Sequence, residues 1–194
     1  MHRLANKKEM RASFLERRRQ MTFEEVYALS SVAQRTLLTL DCFKAAKRLS
    51  LYASFQNEVL TGDVFQSAVE TGKEVFYPRV VDGNKRRLGF FRVKRLDELS
   101  QGSYEIPEPH DKEPPAHPSI LDLIVVPGVA FDINGARLGF GKGYYDMALA
   151  GLGSSIVGLA YDFQIVKGEL PTEPTDVSVS AIVTEKRIID CSGR

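Results

Sequence analysis

Cysteine is nearly missing from this chain: Cys42 and Cys191 stand far apart, without metal-ligand spacing. No disulfide framework and no zinc-binding knuckle can be built from them, which fits a reducing compartment. Histidine is equally scarce, with His2 near the terminus and His110 and His117 in a proline-rich stretch. They form no metal cluster and no triad, and no serine or cysteine has the partners that nucleophilic catalysis needs. No run approaches the roughly 18 apolar residues of a membrane span, and no apolar segment marks a secretory signal. Net charge is also missing, at a formal +1. A locally basic stretch (Arg3, Lys7, Lys8, Arg11, Arg17, Arg18, Arg19) is interrupted by Glu9 and Glu16 and reads as the solvated face of a helix. These absences predict a cytoplasmic protein with neither membrane nor nucleic acid as partner.

What is present is ordinary in bulk and specific in places. The 194 residues, 43% hydrophobic and 26% charged, suit a single domain over 1–194 with a full core. Leu4, Met10, Phe14 and Arg18 fit one amphipathic helix over residues 4 to 20. Thr22 with Glu25 is a capping-box pattern, and Val26, Leu29, Val32, Ala33, Leu37 and Leu40 form the apolar stripe behind it. Strands are predicted at 48–54 and 74–77, the second closed by Pro78, with a short helix between them capped by Thr61 and stopped by Gly72. A third strand covers 86–93. The five prolines between Pro107 and Pro118 exclude helix and central strand, leaving one long ordered loop. The apolar run at 121–126 reads as a strand buried on both faces of a parallel sheet, followed by a helix near 144–150 and strands at 155–161 and 177–183. Together these predict an α/β three-layer sandwich with a mostly parallel central sheet and two N-terminal helices. Ligands of such sheets sit beyond the carboxyl ends of the strands.

The segment 126–146, VPGVAFDINGARLGFGKGYYD, carries the chemistry. Gly139, Gly141 and Gly143 alternate between Arg137, Lys142, Tyr144, Tyr145 and Asp146. Glycine lets backbone N–H groups approach a phosphate closely and cradle it, and the two cations add fixed positive charge. Asp146 falls in the first turn of the following helix, where it can hold a Mg²⁺ that bridges the same phosphates. A glycine-rich turn joined to a surface helix is the plainer alternative. Neither common phosphate signature is present. A Walker A loop would need glycine at Ala136 and Ser or Thr at Gly143, and the run G-x-G-x-G is not the dinucleotide fingerprint.

Other candidates lie where strands end. Glu58 follows the first strand and can accept from a ligand carrying N–H donors, or cap a turn. Arg79 follows the second and suits a carboxylate or phosphate, or solvent. The segment from Tyr104 to Pro109 sets two carboxylates, Glu105 and Glu108, beside prolines, as either a rigid cleft wall or a rigid turn. Asp176 before the last strand is either a second metal carboxylate or a turn residue.

In combination these residues resemble the 5-formyltetrahydrofolate cyclo-ligase family, also called methenyltetrahydrofolate synthetase. The strongest match is Pro127-Gly128, Phe131-Asp132, then Arg137-Leu138-Gly139-x-Gly141-x-Gly143-x-Tyr145-Asp146. Lys7 with Arg11, Ser54 with Glu58, Pro78-Arg79, and Ile106-Pro107 with Pro109 agree in order, so the likeness runs from Lys7 nearly to the C-terminus. It leaves almost nothing for a targeting presequence. Thr175, where the family often has histidine, and Ser180, where an acid is frequent, depart from the pattern.

The resemblance implies ATP- and Mg²⁺-dependent closure of 5-formyltetrahydrofolate to 5,10-methenyltetrahydrofolate, with ATP and folate as small-molecule partners; a monomer is expected. It implies that Lys7, Arg11, Arg137, Lys142, Tyr145 and the three loop glycines serve the nucleotide, with Arg137 and Lys142 catalytic. It places Asp146 and Asp176 on the metal, and Glu58, Tyr104, Tyr144 and Tyr145 on the folate. Two rival classes remain. A sugar-phosphate isomerase would leave Arg137, Lys142 and the aspartates without a clear purpose, and ATP binding separates it. A nucleic-acid-binding protein would show strongly salt-dependent binding.

Overall fold

The structure, a computed structural model, describes residues 7–102, 105–110 and 114–192. A seven-stranded sheet with the order β11-β10-β9-β6-β1-β2-β3 forms its centre. The strands are β1 (Arg48–Ser50), β2 (Glu74–Asp82), β3 (Arg87–Val93), β6 (Leu123–Val126), β9 (Ser155–Leu159), β10 (Ala181–Val183) and β11 (Ile188–Asp190). Neighbours from β10 to β2 run parallel, and β3 and β11 close the edges antiparallel. Two small ribbons stand outside the sheet, β4 (Leu99–Gln101) with β5 (Pro107–Pro109) and β7 (Ala130–Phe131) with β8 (Arg137–Leu138).

Side chains alternate across the parallel strands and divide the core into two layers. Leu49, Val75, Leu123, Val125, Val157 and Leu159 pack with Ala33 and Leu37 of α2 (Phe23–Leu38), Phe43 of α3 (Asp41–Ala45), and Val64, Phe65 and Ala68 of α4 (Gly62–Glu70). Phe76, Ile124, Val126, Ile156 and Ile182 face the other way, toward Phe131 and Leu149 of α5 (Tyr144–Leu149). The expected three layers are therefore present, one helix-rich and one built from a short helix and loops.

Of the two N-terminal helices, α2 starts with the full capping box, Thr22 and Glu25 exchanging side-chain-to-backbone bonds. The first, α1 (Lys7–Arg19), lies off the sheet. Its Met10 and Phe14 pack on Ala130, Ala136 and Leu138 of the β7–β8 hairpin.

Several expected boundaries move, each for a physical reason. Strand β1 is shorter than 48–54 because pairing ends where Leu51 N donates to Phe76 O (2.9 Å), after which the chain turns toward the site. Strand β2 runs through Pro78, since β1 pairs only as far as Phe76 and asks no N–H of residue 78, while β3 pairs at Pro78↔Phe90. Thr61 does not cap α4 with its side chain. Its hydroxyl donates to Tyr52 O (2.9 Å), and Gln34 Oε1 of α2 accepts from the N–H groups of Asp63 (2.8 Å) and Val64 (3.3 Å) instead. The proline-rich stretch supplies one strand, β5, in a two-stranded ribbon outside the main sheet. The last parallel strand is only Ala181–Val183, because Val179 N is taken by Gly135 O (2.9 Å). The edge strand β11 and the helix α3 have no counterpart among the expected elements.

Candidate functional site

Strands β1 and β6 are adjacent and parallel, but β1 continues toward β2 on one side and β6 toward β9 on the other. Such a reversal opens a crevice at the carboxyl ends of the two strands. A cleft of ≈ 970 Å³ occupies that place. Tyr52, Phe55 and Glu58 after β1, Pro127 and Gly128 after β6, the loop from Gly139 to Gly143, and Lys7 and Arg11 of α1 all line it.

The glycine loop follows from a hairpin that the sequence enforces. Asp132 is buried and turns the chain, its Oδ1 accepting from Asn134 N (2.9 Å) and Ala136 N (3.0 Å) and its Oδ2 from Leu170 N (2.8 Å). Beyond the hairpin, Gly141 (φ 90°) and Gly143 (φ 70°) adopt the left-handed backbone that favours glycine. Gly143 caps α5, so Asp146 does fall in its first turn.

Arg137 is nearly buried, with 5% of its side chain exposed. Its Nη2 donates to Asp146 Oδ1 at 2.9 Å, its guanidinium lies 5.4 Å from the Tyr145 ring centre, and its Nε has no hydrogen-bond partner among the described residues. An unsatisfied donor on a buried cation costs free energy unless a ligand completes it. Lys142 is exposed and lines the same cleft.

Helix α1 supplies the next two cations. Arg11 Nε donates to Gly139 O (2.7 Å), and a Cβ on Gly141 would come within 3.4 Å of that guanidinium. Lys7 Nζ is 3.1 Å from both Asp176 Oδ2 and Glu173 Oε1. The two expected metal carboxylates thus already face cations, Asp146 against Arg137 and Asp176 against Lys7.

Around β1 the site is drier. Glu58 is 5% exposed, and its Oε2 accepts from Phe55 N (3.1 Å), so it caps its turn while lining the cleft. Burial pushes its carboxyl up to about 7, against the opposing pull of Arg18. Burial likewise raises the Tyr145 phenol well above the usual range. Tyr144 and Tyr145 both line the cleft, and Tyr104 lies outside the described residues.

The structure therefore gathers Lys7, Arg11, Glu58, Arg137, the loop glycines, Lys142, Tyr144, Tyr145, Asp146 and Asp176 in one cleft. Arg79 is instead beside Glu108, 3.9 Å away. Two residues escaped the sequence reading. Arg86, in the β2–β3 turn, lines the cleft, with Nη1 3.5 Å from where a Cβ on Gly143 would stand. Arg18, which in sequence belongs to the basic stretch, is buried behind Glu58; its place in the amphipathic spacing with Met10 and Phe14 is the available signal.

For a metal, the donors on offer are all oxygen. No group of three or more His, Cys, Asp or Glu among the described residues is arranged to hold an ion by itself. One or two carboxylates beside a phosphate-binding loop is the arrangement Mg²⁺ takes when substrate phosphates and water complete its shell. Asp146 and Asp176 fit that requirement. Among the described residues no helix is long and apolar enough to cross a membrane.

Comparison with known proteins places the chain in a family. A sequence model described as the 5-formyltetrahydrofolate cyclo-ligase family matches residues 3–185. A probable 5-formyltetrahydrofolate cyclo-ligase of Caenorhabditis elegans is 34% identical over 86% of this chain and 86% of its own length. The Escherichia coli 5-formyltetrahydrofolate cyclo-ligase is 30% identical over 89% and 97%. The solution structure of Aquifex aeolicus 5,10-methenyltetrahydrofolate synthetase superposes with a TM-score of 0.84 at 36% identity, covering 97% of this chain and 94% of that one.

Proposed function

The chain belongs to the 5-formyltetrahydrofolate cyclo-ligase family, and we propose that it closes 5-formyltetrahydrofolate to 5,10-methenyltetrahydrofolate in this cleft, converting ATP to ADP and phosphate. One observation carries the reading: a glycine-lined loop with Arg137 and Lys142 shares a single cleft with the buried carboxylate of Glu58. The loop suits a polyphosphate, and the carboxylate suits the N–H edge of a pterin.

The chemistry explains why both are needed. An amide-like formyl oxygen is a poor leaving group. Its attack on the γ-phosphorus of ATP, with ADP departing, makes it a phosphate ester of the activated carbon. N10 of the folate then bonds to that carbon and gives up its proton to the departing phosphate or solvent, the C–O bond breaks, phosphate leaves with the bonding pair, and the N5=C–N10 unit remains as a cation.

Phosphoryl transfer asks the protein mainly for positioning and charge neutralisation. Arg137 and Lys142 supply the positive charge at the transferring group, and the N–H groups of Gly139, Gly141 and Gly143 orient it. Lys7 and Arg11 hold the nucleotide from α1. Glu58 accepts from the pterin, and Tyr144 and Tyr145 shape the folate side. Asp146 and Asp176 would hold Mg²⁺, which neutralises charge on the phosphoryl oxygens when bound. We further propose that the protein acts as a monomer in the cytoplasm.

The test mixes purified protein with 5-formyltetrahydrofolate and Mg²⁺, with and without ATP, and follows the near-ultraviolet band of methenyltetrahydrofolate. ATP-dependent growth of that band is expected. A flat trace from folded protein that binds ATP would discard the folate substrate and keep the nucleotide site.

A further inference from the structure

Arg18 is a costly residue in its position. Only 1% of it is exposed, and neither Nη1 nor Nη2 has a hydrogen-bond partner among the described residues. A buried guanidinium so poorly satisfied is expensive unless its charge serves a neighbour. That neighbour is Glu58, whose Oε1 stands 3.8 Å from Nη1.

The backbone around Glu58 is arranged for this meeting. Gln56 (φ 47°) and Asn57 (φ 58°) are successive non-glycine residues in left-handed conformation, a strained pair that needs holding. The end of α1 holds it from two sides. Arg18 Nε donates to Gln56 O (2.7 Å), and Asn57 Nδ2 donates to Arg18 O (3.0 Å) and Met21 O (3.2 Å). Glu58 lines the cleft and Arg18 does not, so Arg18 acts on a ligand only through Glu58.

We propose that Arg18 is a positioning residue for the folate half of the site: from behind the cleft wall it fixes Glu58 and keeps it a carboxylate, able to accept from the pterin's adjacent ring N–H and amino group. The proposal rests on the reading of Glu58 as the pterin contact.

The charges facing Glu58 give it physical weight. Tyr52 after β1, Tyr145 of α5 and Tyr161 after β9 surround it with phenols held above their usual range by burial, hence neutral. Arg18 from α1 is the cation that offsets this dry setting, while burial drives Glu58 toward its neutral form. A protonated Glu58 would present an O–H where the pterin needs an acceptor, losing charge-assisted bonds. Removing Arg18 therefore moves the carboxyl's titration upward.

The experiment measures equilibrium binding of 5-formyltetrahydrofolate, without ATP, between about pH 6 and pH 9 for wild type, Arg18→Met, Arg18→Gln, Arg18→Lys and Glu58→Gln. In the wild type, affinity should rise through about pH 7 and level off. Both neutral Arg18 variants should have that midpoint raised by about one unit or more, binding at least about fivefold more weakly at neutral pH and recovering at high pH. Arg18→Lys should restore the wild-type midpoint. All should keep wild-type ATP affinity. Should Arg18→Met fail to fold by circular dichroism, the amide and the ammonium variants carry the same contrast.

Glu58→Gln separates this proposal from the reading beneath it. It should bind folate weakly and without pH dependence in this range. If it binds as tightly as wild type, the role of Glu58 falls, and that of Arg18 with it. If it binds weakly while the neutral Arg18 variants keep the wild-type midpoint, or lose affinity equally at every pH, the proposal for Arg18 alone is overturned.

Discussion

Arg137 Nη2 and Asp146 Oδ1 meet at 2.9 Å across nine residues of chain, and the glycine loop fills the interval between them. The pair fixes the mouth of that loop from both ends. It also balances Asp146 with a cation before any ligand arrives, so a metal bound at Asp146 must share or displace the guanidinium. Asp176 stands in the same relation to Lys7.

Lys142→Ala and Asp146→Ala should each cut turnover at least about tenfold, a loss of about 1.4 kcal/mol in transition-state stabilisation. Initial rates of methenyltetrahydrofolate formation check this. Lys142 is exposed, so its variant should melt like wild type. Asp146→Ala strips a nearly buried arginine of its partner and should also lower the melting temperature. Asp146→Asn keeps an acceptor for Arg137 and removes the charge, so it should retain more stability while remaining slow. Near-native rates in Lys142→Ala and Asp146→Asn would refute the phosphate-site assignment.

Lys7→Met should raise KM for ATP several-fold and leave the folate KM unchanged. The Lys7 ion pairs are partly exposed, so their loss should cost less than about 1 kcal/mol of stability. Steady-state kinetics at fixed folate, set beside urea melts, separate the two effects. A parallel rise in both KM values would place Lys7 in the fold instead of the nucleotide site.

Where periodicity and chemistry coincide in sequence, the fold was legible. The run Leu123–Val126 is buried throughout because both sheet faces are covered, and its apolar continuity said so. The capping box at Thr22 and Glu25 and the turn at Asp132 are local, so nearby residues determine them. The glycine loop was legible for the same reason. What escaped depends on distant partners. Gln34 caps α4 only because α2 packs beside it, and no pattern near Thr61 signals that. Arg18 reads as one of three consecutive arginines until the turn at 55–58 folds over it. Arg86 enters the site from a turn that joins two strands, a place without periodicity.

Glu58 should also leave a mark on stability. Its folded titration is raised from an ordinary 4.5 to about 7, so the folded state holds the proton more tightly than the unfolded chain. That contribution is fully present below about pH 4.5 and is lost as pH rises through about 7. Wild-type stability relative to Glu58→Gln should therefore fall across this window and flatten above it. Urea unfolding of both proteins at a series of pH values reads the difference. A difference that grows with pH would mean that Glu58 is held below its ordinary range by Arg18.

One ring packs the hairpin that carries Arg137 against the sheet. Phe131 is fully buried, and a Cβ on Gly128 would stand 2.5 Å from it, on Gly158 2.6 Å. Real Cβ atoms do not approach carbon so closely, so both positions must stay bare for the ring to lie on β6 and β9. Gly158→Ala should then cost about 1–3 kcal/mol, as overpacking in a dense core does. The cost should reach function, because pushing Phe131 outward tilts β7–β8 and with it Arg137. Phe131→Leu relieves the clash while opening space of its own. In a double-mutant cycle the pair should be less destabilised than the sum of the singles, measured by urea unfolding. Simple additivity would mean that the ring and the missing side chain are not in contact, and that something other than Phe131 holds the hairpin against the sheet.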